Sequence, residues 1–266
     1  MTRTFSRVAI VMAAACAVNA AVAAPIMQWD YIVDSAFNVD QTFFNAGRAG
    51  SNGLASALEV SWGVQGGDVG LNRSALQISN TPSAGTLDTD GASKLANTYT
   101  HINNGALGLN SVSLKSTQID ASLSLRPTGS GLAYEAFTAN YTINFAETRN
   151  VAGTCAVTTS AVPCDDIFVL SGSLNETFDF NGFRYFVSFF AAPSLTALAP
   201  EVCAAANAAA GCFGFTTQEF QDTAVNFNLV ITSQAIEVPE PASIALLGVG
   251  LLGLAGLRGR KQKTKA

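Results

Sequence analysis

The stretch Glu176-Thr177-Phe178-Asp179-Phe180-Asn181-Gly182-Phe183-Arg184-Tyr185-Phe186-Val187-Ser188-Phe189 decides the fold. Phe178 and Phe180 alternate with polar residues before the Asn-Gly pair. Phe183, Tyr185, Val187 and Phe189 continue the alternation after it. A side-chain period of two is that of a strand. Asn-Gly tolerates positive φ at both central positions of a two-residue turn, so the stretch reads as a β-hairpin. The second strand also carries Phe186 and Phe190 on its other face. It is therefore predicted to be central in its sheet or covered on both sides.

The same period recurs outward from this hairpin. Leu58, Val60, Trp62 and Val64 share a face, as do Ile119, Ala121, Leu123 and Leu125. Phe137, Ala139, Tyr141, Ile143 and Phe145 form a third set, and Val225, Phe227, Leu229 and Ile231 a last one. Gly66-Gly67, Asp90-Gly91, Asn104-Gly105 and the Pro127–Gly131 stretch punctuate them as turns. No long stretch shows helical periodicity, and no unit repeats at a fixed period. The pattern predicts an all-β fold: an antiparallel β-sandwich, jelly-roll-like, with a closed barrel as the alternative.

Both ends of the chain differ from this body. Arg3 and Arg7 precede an apolar run from Val8 to Val18, and Ala21-Val22-Ala23 offers small residues for cleavage, so residues 1–23 read as a secretory signal peptide. The alternative, a lipoprotein cysteine at Cys16, has Ala13 where a larger aliphatic is usual. At the other end stands Pro239-Glu240-Pro241, then an uncharged run from Ala242 to Leu257, then Arg258, Arg260, Lys261, Lys263 and Lys265. The prolines bar a helix from running back through them. The apolar run spans about 24 Å as a helix, against a hydrocarbon core of about 30 Å. The basic residues snorkel to make up part of the difference and keep that end cytoplasmic. The predicted organisation is a signal peptide (1–23), an ectodomain (24–232), a linker with the Pro-Glu-Pro motif (233–241), a transmembrane sorting helix (242–257) and a basic tail (258–266).

Pro239-Glu240-Pro241, the short Gly/Leu-rich span and the basic stop at Arg258, Arg260 and Lys261 together resemble the PEP-CTERM sorting signal of Gram-negative bacteria. The resemblance implies processing by an exosortase, a membrane transpeptidase, from a precursor anchored in the inner membrane. It implies a final place at the cell surface or in an extracellular matrix, often one rich in exopolysaccharide. Thr100-His101-Ile102-Asn103, in a chain with this tail, is similar to the THxN group of these proteins, a likeness that assigns no role to Thr100, His101 or Asn103.

Charge and cysteine content narrow the chemistry. Residues 24–257 hold all 19 acidic residues of the chain but seven of its 14 basic ones, a balance of −12. So acidic a body repels phosphate backbones, which argues against nucleic acid as a partner. The sign suits solubility outside the cell and attraction of divalent cations. With Cys16 removed, four cysteines remain: Cys155, Cys164, Cys203 and Cys212. An even count in an exported chain fits disulfides. Each adjacent pair brackets a small-residue loop, and closing a short loop costs little entropy, so Cys155–Cys164 and Cys203–Cys212 are the expected pairs. Zinc sites space cysteines two to four apart, which these do not.

No catalytic constellation is legible. His101 is the only histidine. As a general base or metal ligand it lacks partners in sequence; as a structural residue it is expected to pair with Asn103 and close the turn before Asn104-Gly105. Asp88-Thr89-Asp90-Gly91 has the opening of a calcium loop without its later ligands, and reads as a plain turn. Trp29, Trp62 and exposed tyrosines are the residues that would stack on sugars, although Trp62 lies on the apolar side of its strand. No cofactor and no metal are expected. The leading reading is a structural or adhesive exported protein without enzymatic activity. A carbohydrate-binding module is the alternative. A hydrolase would require acids such as Glu135, Glu147, Asp165 and Asp166 to converge.

Overall fold

A computed structural model describes residues 24–79, 83–104, 110–148, 155–158, 160, 164–172, 175–192 and 195–236. The expected signal peptide, sorting motif, span and basic tail lie outside the described residues. The strands in chain order are β1 (Gln28–Asn45), β2 (Ser51–Ala55), β3 (Glu59–Val64), β4 (Arg73–Ile78), β5 (Ser83–Asp88), β6 (Lys94–Ile102), β7 (Ser113–Pro127) and β8 (Glu135–Ala146). They continue as β9 (Asp166–Ser171), β10 (Asn175–Phe180), β11 (Phe183–Ala192), β12 (Thr196–Ala197), β13 (Phe213–Thr217) and β14 (Thr223–Ala235); α1 (Pro200–Ala205) is the one helix among the described residues.

Two seven-stranded sheets result, in the orders β12-β13-β9-β8-β7-β1-β5 and β10-β11-β14-β6-β4-β3-β2. All pairings between neighbouring strands are antiparallel. The architecture is sandwich-like, but it exceeds the two four-stranded sheets of a jelly roll. The hairpin forms where Asn-Gly predicts it: Asn181 and Gly182 have φ of 49° and 78°, and Phe180 pairs with Phe183. β11 lies between β10 and β14, as its two-faced apolar pattern requires, yet Phe190 on its outer face is exposed.

The inward face of the hairpin closes on the opposite sheet. Phe178, Phe180 and Tyr185 stand edge-on to Trp29 of β1 at 5.4, 5.6 and 5.0 Å. Around them Val33, Leu87, Leu123, Leu125, Val187, Leu229 and Ile231 make one buried cluster. A second cluster holds Phe37, Val60, Trp62, Leu76, Ile119, Ile143, Phe145 and Phe168. The period-two sets read from the sequence supply much of both clusters, now packed against each other, while Leu58, expected on the apolar face with Val60 and Trp62, is exposed.

Three local departures have physical causes. Strict alternation along β6 would put Leu95 on the buried side with Asn97, but Leu95 is exposed, because the pairing of β6 with β14 slips between Phe227 and Asn228; the bulge turns Ala96 inward instead. β9 is buried on both faces, with Ile167, Phe168 and Val169 all enclosed, because α1 packs Val202 and Ala206 on its outer side. That helix is absent from the strand-only expectation. Pro200 at its start and Glu201 in its first turn suit an N-terminus, and the alanines that follow are strong helix formers. Finally, β14 runs through Ala235, whose partner is Phe183, so the first residues of the expected linker belong to the sheet.

Both cysteine pairs join as the spacing indicates, Cys155 with Cys164 and Cys203 with Cys212. The second tethers α1 to the start of β13. Among the described residues, no helix is long and apolar enough to cross a membrane.

Candidate functional site

At one end of the sandwich the two sheets are joined by polar side chains. From the β6 side come His101 and, just past the strand, Asn103. From the facing sheet come Glu147 after β8, Asp166 at the start of β9, Thr217 at the end of β13 and Glu219 beyond it. Loops leave the strands here, and the backbone of Phe220, at φ 61°, turns the chain directly after Glu219. For a bulky residue that is a strained conformation.

Glu147, Asp166 and Glu219 converge, each with a carboxylate oxygen within 4.8 Å of the others'. Asp166 and Glu219 are buried. Two carboxylate charges at such a separation repel by about 3 kcal/mol at an effective dielectric of ~20. Few donors offset this. Trp62 Nε1 donates to Glu147 Oε2 at 2.7 Å, and the Thr148 amide donates to Asp166 Oδ1 at 2.8 Å. Asn103 Nδ2 donates to Asp166 Oδ2 at 3.0 Å and to the Gln218 carbonyl at 3.1 Å. Glu147 Oε1, both oxygens of Glu219 and Asn103 Oδ1 are buried with no hydrogen-bond partner among the described residues.

The protonation equilibria follow from this crowding. Burial pushes the Glu147 carboxyl up to about 8, against the pull of the Trp62 N–H, and Glu219 adds to the rise. Asp166 is raised well above the usual carboxylate range, first by burial and then by the charges of Glu147 and Glu219. Glu219 is pushed up to about 7 by burial. Acids this close titrate together rather than one by one. Among the described residues, no lysine or arginine forms an ion pair with any of the three; the described ion pairs are Arg126–Asp30 and Arg184–Asp179, both elsewhere. The donor set is all oxygen, which suits shared protons or a hard cation.

His101 lies beside the acids but works differently. Its ring is 1 % exposed, stacked on Trp62 and edge-on to Phe145 and Phe168. Nδ1 shares a hydrogen bond of 3.0 Å with the Thr217 hydroxyl, while Nε2 is buried without a partner. Burial lowers its pKa to about 3, so the ring is neutral at physiological pH. The expected His101–Asn103 pair does not form. Both residues reach across to the other sheet instead, His101 to Thr217 and Asn103 to Asp166, because alternation along the strand end puts both on the inner face. Thr100, one residue out of phase, faces the other way, opposite Ala224 and Gln77.

Other sequence candidates separate from this cluster. Glu135 sits at the start of β8, far along the strand from Glu147. Asp165 takes a 3.5 Å bond from Thr216 and is raised by burial. Asp88 and Asp90 are used by Gln28 and Ser233 in an ordinary turn. Both tryptophans are core residues, 2 % and 0 % exposed, which removes them as a sugar-stacking platform. Glu219, Thr217 and the Trp62 N–H were missed by sequence reasoning. No local pattern marks them, since their partners are far away in the chain.

The C-terminal segment has an independent assignment. Residues 237–261 match the PEP-CTERM protein-sorting motif. The motif implies an exported protein, handled by an exosortase and anchored in a membrane as a precursor. It covers Pro239-Glu240-Pro241 and the basic residues Arg258, Arg260 and Lys261, all outside the described residues. No curated protein matches the chain.

Proposed function

We propose that the chain is a non-enzymatic structural or adhesive protein of the THxN group, displayed on the cell surface or released into an exopolysaccharide matrix of a Gram-negative bacterium. One observation carries the reading. The motif histidine, the residue with most catalytic potential, is enclosed by Trp62, Phe145 and Phe168 and spends Nδ1 on Thr217. A general base must reach a substrate proton, and this ring is buried from solvent. His101 and Asn103 act as a clasp between the sheets, His101 on Thr217 and Asn103 on Asp166. The converging carboxylates would suit a hydrolase, but their hydrogen bonds run to Trp62, Asn103 and the Thr148 backbone rather than to an open cleft. The alternative of carbohydrate binding loses its tryptophans to the core.

The precursor is read as a signal peptide over residues 1–23, a body, and a sorting helix over 242–257 with a basic stop. Cells with and without the exosortase are fractionated and the product weighed. The surface or matrix form is expected to lack the tail, and deletion of residues 258–266 to impair membrane retention and processing. A main surface form with Lys265 intact refutes the sorting. A deletion strain with unchanged cell–cell and matrix attachment refutes the adhesive role.

A further inference from the structure

We propose that Glu147, Asp166, Glu219 and the side-chain oxygen of Asn103 form a calcium site that locks the two sheets together. The acids alone would not establish this. The independent observation is Asn103: it is 6 % exposed, it is seated against Asp166 through Nδ2 at 3.0 Å, and its Oδ1 has no partner. A buried amide oxygen left without a donor, on a side chain hydrogen-bonded to one of three converging carboxylates, is the environment of a cation ligand.

The chemistry selects the ion. The three converging ligand atoms are all carboxylate oxygens, and calcium takes six to eight oxygens in adaptable geometry. Zinc prefers nitrogen or sulfur, and neither ring nitrogen of His101 is among the atoms that converge. Magnesium demands near-ideal octahedral geometry and keeps its waters, which a buried cluster accommodates poorly. Three carboxylates on one ion replace mutual repulsion by attraction to a common charge. The ligands also come from both sheets, Asn103 from one and the acids from the other, so occupancy pins the sandwich at this end. Outside a cell such sites bind with Kd of about 0.1–1 mM.

The test uses the full chain purified in mild detergent. Melting is followed with and without about 5 mM calcium, several Kd for an extracellular site. Terbium, a calcium surrogate, is added and excited through tryptophan. Trp62 touches Glu147 at 2.7 Å, while Trp29 belongs to the other core cluster, so a site here gives sensitised emission that calcium displaces. Expected are a calcium-dependent rise in Tm, a smaller one with magnesium, loss of terbium emission in Trp62→Phe, and affinity at least about tenfold weaker in Glu219→Gln. Glu135→Gln leaves the response unchanged. Asn103→Asp lowers Tm without calcium and recovers it with calcium, which a purely structural Asn103 would not do. The proposal is overturned if calcium moves neither Tm nor terbium emission, if Glu219→Gln responds as the parent does, or if emission persists in Trp62→Phe.

Discussion

Replacing His101 with alanine tests the clasp most directly. The ring has Phe168, Phe145 and Trp62 at 4.9, 5.5 and 5.9 Å, and one hydrogen bond to Thr217. Truncating a large buried ring costs about 3–5 kcal/mol through lost contacts and the cavity left behind. Stranding the Thr217 hydroxyl adds to this, while removing the unpartnered Nε2 relieves a buried polar atom; each is worth about 1–2 kcal/mol, so they nearly cancel. The net expectation at pH 7 is a loss of about 3–4 kcal/mol, read by urea unfolding, with a Tm lower by roughly 2–4 °C per kcal/mol for a body of this size.

The same variant carries a pH signature. The folded pKa of His101, about 3, lies below its unfolded value of 6.5. Between these values the unfolded chain binds a proton that the folded chain refuses, so stability from this residue is full above 6.5 and falls as pH drops towards 3. From pH 7 to pH 5 that loss is about 2 kcal/mol at 1.36 kcal/mol per unit. The alanine variant has no such term, so its deficit against the parent shrinks at pH 5. The raised carboxylates give the opposite slope in both proteins and drop out of the difference. A deficit below 1 kcal/mol at pH 7, or one that is as large at pH 5, refutes the reasoning.

Two further perturbations probe the body. Arg73 is 2 % exposed and donates to Asn52 Oδ1 at 2.7 Å, the Val64 carbonyl at 2.8 Å and the Ser61 carbonyl at 3.0 Å, tying β2, β3 and β4 together; Arg73→Met strands these acceptors and is expected to cost about 3–4 kcal/mol by urea unfolding, against which a change under 1 kcal/mol counts. Replacing Cys203 and Cys212 together by alanine opens a loop of sequence separation 9 and is expected to cost about 3 kcal/mol in the chain-entropy account; non-reducing peptide maps of the parent should show no fragment joining either of Cys155 and Cys164 to either of Cys203 and Cys212.

By itself the sequence determined what depends on neighbours in the chain. The Asn181-Gly182 turn, the period-two faces of β3, β7, β8 and β14, and the two disulfides all rest on residues within about ten positions of each other, where backbone sterics and loop entropy act directly. The sorting motif at residues 237–261 is likewise a linear signal. Only the tertiary structure decided what depends on which sheet edge meets which. The partner of His101 is Thr217, 116 residues away, and that of Asn103 is Asp166, 63 away. A strand pattern states which face is apolar but not which strand lies opposite, so polar residues at strand ends acquire partners only when the sheets stack. For the same reason the carboxylate cluster was invisible: Glu147 follows β8, Asp166 opens β9 and Glu219 lies beyond β13, and it is the order of β8, β9 and β13 in one sheet that brings those strand ends side by side.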